Sequence, residues 1–149
     1  MLDPKGRVAM VSGAARGIGR RIVERLLASG FSVSAGVRAS AQGLEGSDRL
    51  LLHRYDAESL DSAQGWVAAT VARFGRLDAL VNAAGISAPR APLMAEDEAP
   101  LDRMFAVNVK GPLRLIRFAM PYLQASGTGR VVNVASLSGK RVANENVGY

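Results

Sequence analysis

The sequence predicts an α/β protein in which helices cover both faces of a doubly wound, mostly parallel sheet. Short runs of β-branched residues alternate with longer segments of helical periodicity, a pattern typical of parallel strands joined by crossover helices. A cluster of glycines separates the first of these runs from the first helical segment. The chain has 149 residues, of which 48% are hydrophobic, and it contains no internal repeat or linker. We therefore expect one domain over residues 1–149.

Three strands and one helix are predicted in the first part of the chain. The first strand covers the apolar run Val8 to Val11, and the apolar residues after it recur on one helical face until Gly30 ends the helix. The segment Phe31 to Val37 follows at once and is predicted as the second strand. The third strand is predicted over Leu50 to Arg54, after a loop that contains Gly and Ser.

The rest of the chain continues the alternation of helix and strand. Apolar residues at helical spacing predict a helix from Leu60 to Phe74, and Leu77 to Val81 is the fourth strand. The segment Ser87 to Pro100 contains three prolines and is predicted as a loop. A long helix is expected from about Leu101 to about Leu123, and the fifth strand covers Arg130 to Ala135.

The composition excludes several kinds of site. The chain has no cysteine and one histidine, which argues against disulfides, thiolate nucleophiles, a Ser/His/Asp triad and a metal site. The net charge of +6 is diffuse and lacks an aromatic-basic pattern, so we expect no nucleic-acid partner. No apolar run approaches the roughly 18 residues that span a bilayer, so we expect no membrane partner and a cytoplasmic location. His53 is predicted to be structural or exposed, and Trp66, alone on a helix surface, has no predicted function.

A glycine-rich loop follows the first strand. Gly13, Gly17 and Gly19 have the spacing G-x-x-x-G-x-G, which differs from the commonest dinucleotide fingerprint and from the P-loop. Glycines let the backbone approach a pyrophosphate closely, and the free N–H groups at the start of the next helix favour an anion. These residues alone leave two interpretations open: a phosphate-binding loop, or three glycines in a tight turn.

Four further features occur in order after this loop. They are the run from Asn82 to Gly85 after the fourth strand, Asn108 in the long helix, Ser136 after the fifth strand, and Tyr149. Together they resemble the short-chain dehydrogenase/reductase family over essentially the whole chain. The resemblance implies a Rossmann-type dinucleotide-binding domain, truncated here after the fifth strand. It also implies an NAD(P)-dependent oxidoreductase that interconverts an alcohol with a ketone or aldehyde, and a homodimer or homotetramer at full length.

The residue after the second strand predicts NADP(H) in preference to NAD(H). In doubly wound folds a carboxylate at this point binds the ribose hydroxyls, whereas a cation accommodates a 2′-phosphate. This sequence has Arg38 there, and Arg16 in the glycine loop can approach the same phosphate, as in family members that resemble this pattern. The alternative is that both arginines are solvated surface residues.

Other cofactor contacts follow from the resemblance. Asp56 matches the family aspartate near the adenine ring, although it also suits the N-terminus of the following helix. Asn82 is expected to stabilise the central strands, and the small residues after it let the chain pass close to the cofactor. The predicted cofactor-binding set is Gly13, Ala15, Arg16, Gly17, Ile18, Gly19, Arg38, Asp56, Ala57, Asn82, Ala83, Ala84 and Gly85.

The resemblance also predicts the catalytic residues Asn108, Ser136 and Tyr149. Hydride transfer needs a group that exchanges the hydroxyl proton and a donor that holds the substrate oxygen, and Tyr149 and Ser136 take these roles at the family spacing. A free phenol has a pKa of about 10, so Tyr149 needs a cation, which the family supplies as a lysine beyond the end of this sequence.

Pro112 gives a reason to single out Asn108 that does not depend on the family resemblance. Proline has no N–H, so in a continuous helix the carbonyl of Asn108 is left free and the helix must kink or hydrate. The resemblance assigns Asn108 to holding a water that relays protons, and a free carbonyl suits such a water. The alternative is that Gly111 and Pro112 only bend the helix around the core.

Two functions other than an oxidoreductase are compatible with parts of this pattern. The first is a catalytically incomplete nucleotide-binding fragment or sensor of the same fold, and we expect no turnover from the 149-residue piece alone. The second is a Rossmann-type methyltransferase, which leaves the placement of Asn108, Ser136 and Tyr149 without a reason. The sequence does not identify the small-molecule substrate.

Overall fold

A five-stranded parallel sheet forms the centre of the protein in the computed structural model, which describes residues 3–87 and 97–136. Its strands are β1 (Val8–Ser12), β2 (Ser32–Val37), β3 (Leu50–Arg54), β4 (Ala79–Asn82) and β5 (Arg130–Asn133). The helical elements are α1 (Gly17–Ala28), α2 (Leu60–Phe74), α3 (Ala99–Phe105), a π turn (Ala106–Lys110) and α4 (Gly111–Ala125). The strand order is β3-β2-β1-β4-β5, with every neighbouring pair parallel, which confirms the predicted fold class.

The sheet has a hydrophobic core on each face. On one face Val11 and Val33 pack with Val23 of α1. On the other, Met10 of β1 packs with residues of α2 and α4, including Leu115. All five residues of β1 are buried, as expected for a central strand that is covered on both sides. Within the described residues, none of the helices has the length and apolar character that a membrane crossing requires.

The long helix predicted from about Leu101 to about Leu123 is interrupted by the π turn, next to Pro112, where the sequence predicts a kink. The N–H of Gly111 donates to the carbonyl of Ala106, five residues back, which is the hydrogen bond of a π turn. Pro112 explains the break, because it has no N–H to continue the α-helical ladder. It lies instead in the first turn of α4, where no intrahelical donor is required.

Trp66 is fully buried, so its predicted position on a helix surface was also wrong. The indole N–H donates to the hydroxyl oxygen of Ser34 in β2 at 2.8 Å, and the hydroxyls of Ser34 and Thr70 are 2.7 Å apart. A Cβ on Gly36 would lie 2.8 Å from atom Cζ2 of the indole. Gly36 therefore leaves the space on β2 in which the ring packs.

The buried carboxylate of Asp78 joins the starts of β1 and β4. Asp78 is 2% exposed, and its Oδ2 accepts the N–H of Val8 at 2.9 Å. Arg76 donates to both carboxylate oxygens, at 2.9 and 2.6 Å. This arrangement sets the register of the two strands, so that both end at the same edge of the sheet.

Candidate functional site

A cleft of about 1050 Å³ lies at the carboxyl ends of the strands. It contains most of the residues predicted to form the site: Gly13, Ala15, Arg16, Gly17, Ile18, Gly19, Arg38, Asp56, Ala57, Ala83, Ala84, Gly85 and Ser136. Further lining residues were not predicted as site residues: Gly36, Val37, Tyr55, Glu58, Ile86, Ser87, Val107, Val134 and Ala135. Several of them are adjacent in sequence to predicted site residues, as Tyr55 is to Asp56. This adjacency is the signal from which their position in the cleft could have been predicted.

The three glycines of the loop meet three different steric requirements. Gly13 has φ +68°, and a Cβ there would lie 2.7 Å from the carbonyl oxygen of Ala83. A Cβ on Gly19 would collide with the carbonyl of Gly13. Gly17 has φ +58° with open space around it, so there the backbone conformation alone favours glycine. The spacing found in the sequence thus corresponds to a turn in which other residues fit poorly.

The amino end of α1 is free to bind an anion. Its N-cap residue, Arg16, makes no side-chain capping bond, and the first turn contains no acidic residue. The first N–H groups of a helix have no intrahelical partner, and the helix dipole adds positive potential there. Gly17, Ile18 and Gly19 in this turn line the cleft. This end of the cleft therefore has the properties of a phosphate-binding site.

Ser12 joins the two sides of the cleft, and sequence reasoning missed it. It is 1% exposed, at the end of β1, and its Oγ accepts the N–H groups of Ala83 and Ala84 at 3.0 and 3.1 Å. These bonds hold the segment after β4 against the glycine loop. A serine at the end of a buried strand is the signal that could have identified it.

Asn82 lies behind the cleft rather than among its lining residues. Its Nδ2 donates to Oδ1 of Asn133 in β5 at 2.8 Å, and its carbonyl accepts the N–H of Val134 at 2.9 Å. Within the described residues its buried Oδ1 has no hydrogen-bond partner. The placement agrees with a role in joining the strands.

The side chain of Asn108 ties the π turn to the wall of the cleft. Its Oδ1 accepts the N–H of Ile86 at 2.9 Å, and its Nδ2 donates to the carbonyl of the same residue at 2.8 Å. A Cβ on Gly85 would lie 3.4 Å from Asn108 Oδ1, so the two segments are in close contact. Both polar atoms of the Asn108 side chain are thus used to hold Ile86. The missing N–H of Pro112 concerns a different group of this residue, its main-chain carbonyl.

Two arginines and two carboxylates line the part of the cleft where the sequence predicts that the adenosine of the cofactor binds. Arg16 and Arg38 are exposed lining residues, and neither forms an ion pair within the described ranges. Asp56 accepts the N–H of Glu58 at 3.0 Å, and Glu58 lies 3.4 Å from the guanidinium of Arg103. Both carboxylates therefore have partners, whereas the two arginines have charge available for a ligand.

Tyr55 is a buried phenol that lines the cleft. Its ring centroid lies 4.8 Å from that of Trp66, and the residue is 4% exposed. Burial raises the pKa of Tyr55 to about 12, with a smaller effect of Asp56 in the same direction, while Arg114 opposes the shift. The hydroxyl is therefore a neutral hydrogen-bond donor over the physiological range of pH.

The remaining predicted residues are placed as follows. Ser136 is exposed and lines the cleft beyond the end of β5. Tyr149 lies outside the described residues. In the part of the chain that the structure describes, no group of three or more His, Cys, Asp or Glu residues could hold a metal ion.

Comparison with known proteins identifies the family. The model of the short chain dehydrogenase family matches residues 7–149. The agropine synthesis reductase of Rhizobium rhizogenes is 42% identical over 147 residues, which are 95% of this chain and 34% of that protein. The levodione reductase of Leifsonia aquatica is 35% identical over 153 residues, 96% of this chain and 57% of that protein.

A solved structure supports the same assignment. The 3-ketoacyl-(acyl-carrier-protein) reductase from Brucella melitensis, complexed with NADH, superimposes with a TM-score of 0.90 at 28% identity. The match covers 97% of this chain and 63% of that one, so the chain spans between about a third and two thirds of the proteins it matches. The chain belongs to the short-chain dehydrogenase family, as the resemblance of its motifs predicted.

Proposed function

We propose that the full-length protein is an NAD(P)-dependent oxidoreductase that interconverts an alcohol with a ketone or aldehyde by hydride transfer. The observation that carries the proposal is one cleft lined by both the glycine loop and Ser136. Relatives named as reductases, among them the levodione reductase, support this class of reaction. The substrate is a small molecule with a carbinol or carbonyl group.

The described residues fit a nicotinamide dinucleotide. Gly13, Gly17 and Gly19 line the cleft and carry no side chain, so a pyrophosphate can approach the backbone of the loop closely. The free N–H groups of α1 bind the phosphate oxygens in this proposal, and Asp56 and Ala57 contact the adenine end. When bound, the cofactor supplies the hydride donor or acceptor.

NADP(H) is the proposed cofactor because of Arg16 and Arg38. Both lie at the cleft with no carboxylate partner among the described residues, and together they can neutralise a 2′-phosphate. The bound NADH of the Brucella relative is a property of that protein, so the preference here depends on these two side chains. We expect kcat/KM to favour NADPH over NADH by about tenfold or more. Arg38→Asp is expected to shrink or reverse the ratio.

Ser136 and Tyr149 are proposed as the catalytic pair. Ser136 donates its hydroxyl to the substrate oxygen, and Tyr149 gives the proton to that oxygen in reduction or takes it in oxidation. Asn108 is proposed to hold a water through its main-chain carbonyl, because its amide is already bonded to Ile86.

The test is turnover by the full-length protein with a panel of ketones, aldehydes and alcohols, followed by nicotinamide absorbance. Tyr149→Phe is expected to abolish turnover and leave cofactor affinity nearly unchanged. Tyr122→Phe makes the same chemical change at an exposed tyrosine of α4 and is the matched control. Cofactor binding without turnover by the unmutated protein would support the nucleotide-binding alternative, and retained activity in Tyr149→Phe would show that another group exchanges the proton.

The surface of α3 and α4 supports assembly as a homodimer or homotetramer. Leu101, Phe105 and Leu113 are each more than half exposed, at 52%, 53% and 57%. Leu101 and Phe105 are four residues apart in α3 and so share one helix face, and exposed apolar side chains grouped in this way are typical of an interface. Light scattering of the full-length protein measures the assembly, and a monomer would contradict the proposal.

A further inference from the structure

Arg20 connects α1 to the loop that follows β2. Its Nη1 donates to the carbonyl of Gln42 at 2.9 Å, and its Nη2 donates to the carbonyl of Gly43 at 2.9 Å. The Nε donates to Glu24 at 2.8 Å, one turn further along the helix. The planar guanidinium thus uses both of its ends to bind two consecutive carbonyls, and the side chain is only 21% exposed.

The segment held in this way begins at Arg38. Residues 38–40 are exposed, and a turn closes where the N–H of Leu44 donates to the carbonyl of Ala41 at 3.1 Å. Among the described residues, the two bonds from Arg20 are the hydrogen bonds that join residues 39–44 to the rest of the chain. Without them, partial burial of Ala41 and Leu44 in the apolar cluster is what holds the segment in place.

The charge of Arg20 is balanced locally. Glu24 accepts hydrogen bonds from Arg20 and from Arg21, and these two bonds lower the pKa of Glu24. Arg21 is 83% exposed and, among the described residues, makes no hydrogen bond or ion pair with the loop after β2. The two neighbouring arginines thus share an ionic partner but differ in whether they bind the loop.

We propose that Arg20 is a positioning residue for cofactor selection, because it fixes the loop from which Arg38 reaches the 2′-phosphate. This inference rests on the proposed NADP(H) preference. A held loop presents Arg38 at the rim of the cleft before the cofactor arrives, so less conformational entropy is lost on binding. The role predicts an effect on NADPH alone, since NADH has no 2′-phosphate for Arg38 to bind.

Replacing Arg20 and Arg21 separately in the full-length protein tests the proposal. In Arg20→Met, we expect the KM for NADPH to rise roughly five- to tenfold while kcat and the KM for NADH stay nearly constant. Arg21→Met removes the same charge and the same ionic partner, so it should leave the ratio of the two KM values unchanged. Arg20→Lys keeps the charge but cannot bind two carbonyls in the same plane, so it should restore the ratio only in part.

Amide hydrogen exchange gives a readout that is independent of catalysis. The N–H of Leu44 should exchange faster in Arg20→Met than in Arg21→Met. Faster exchange with an unchanged KM ratio, or no faster exchange, would overturn the positioning role. A full rescue by Arg20→Lys, or an equal effect of Arg21→Met, would assign the effect to charge and would also overturn it. Equal KM values for NADPH and NADH in the unmutated protein would instead overturn the proposed cofactor preference, and this role with it.

Discussion

Gly13→Ala is the substitution that most directly tests the glycine loop. The backbone at Gly13 has φ +68°, which costs an L-residue about 1–2 kcal/mol. The new Cβ would also lie 2.7 Å from the carbonyl oxygen and 2.8 Å from the carbonyl carbon of Ala83. Both contacts are with backbone, which cannot rotate away as a side chain can. Relief of this overlap costs about a further 1–3 kcal/mol, so we expect the free energy of unfolding to fall by about 2–5 kcal/mol.

Two other glycines allow the cost of the backbone conformation to be measured apart from the cost of the steric overlap. Gly17 and Gly6 have φ +58° and +76°, and a Cβ at either position meets nothing within 4 Å. Gly17→Ala and Gly6→Ala should therefore each lose only the conformational part, about 1–2 kcal/mol. Gly17 lines the cleft and Gly6 does not, so Gly17→Ala should also raise the KM for the cofactor, whereas Gly6→Ala should leave it unchanged.

Urea unfolding of the full-length variants measures the stability part, and steady-state kinetics measure the KM part. The decisive comparison is Gly13→Ala against Gly17→Ala. If the two variants unfold at the same urea concentration, the close packing of the glycine loop against the segment after β4 is wrong. If Gly17→Ala binds the cofactor as well as the unmutated protein does, the pyrophosphate does not approach this turn.

Three further predictions concern the groups that support the cleft. Asp78→Ala should lower the free energy of unfolding by about 2–4 kcal/mol, because it leaves the buried N–H of Val8 without its acceptor and removes the ion pair with the half-exposed Arg76, and urea unfolding measures this. Trp66→Phe should cost about 2–3 kcal/mol, because it loses the hydrogen bond to Ser34 and leaves a cavity where the fully buried indole packs, and a Ser34→Ala background should remove only the hydrogen-bond part. Tyr55 has a raised pKa in the folded state, so its contribution to stability is complete below pH 10 and is lost between pH 10 and about 12. Tyr55→Phe should reduce the fall in stability over that interval by about 2–3 kcal/mol, and an unchanged slope would contradict the burial of the phenol.

The parts of the fold that the sequence predicted are those with local causes. The third strand and α2 have the predicted bounds, since Gly75 in the left-handed conformation ends the helix and apolar runs mark the strands. Trp66 follows Ala63 by three residues and precedes Val67, so helical periodicity already placed it on the buried face of α2, and the prediction of a surface position overlooked this. What the periodicity could not give is the space for the ring, which depends on Gly36 and Ser34 of β2. Helical periodicity within α2 contains no information about a space left by a glycine on β2.

In the cleft, too, the parts with local causes were predicted and the parts that depend on residues distant in sequence were missed. The glycine loop could be found from its spacing because its requirements are backbone angles and short-range contacts within one strand–helix unit. Ser12 and Arg20 act through carbonyl or N–H groups of residues distant in sequence, so spacing alone did not reveal them. The missing N–H of Pro112 predicted where the helix is interrupted. The form of the interruption, a π turn, was not predicted, because it depends on which carbonyl accepts the N–H of Gly111.

The cleft itself results from the order of the strands. The connection after β1 passes to α1 on one face of the sheet, and the connection after β4 leads to α3 and α4, of which α4 packs on the other face. Neighbouring strands whose connections leave in opposite directions open a crevice at their carboxyl ends. Ser12 and Asn108 then hold the segment that follows β4, through Ala83, Ala84 and Ile86. The glycine motif supplies one wall of the cleft, and these two polar side chains fix the position of the other.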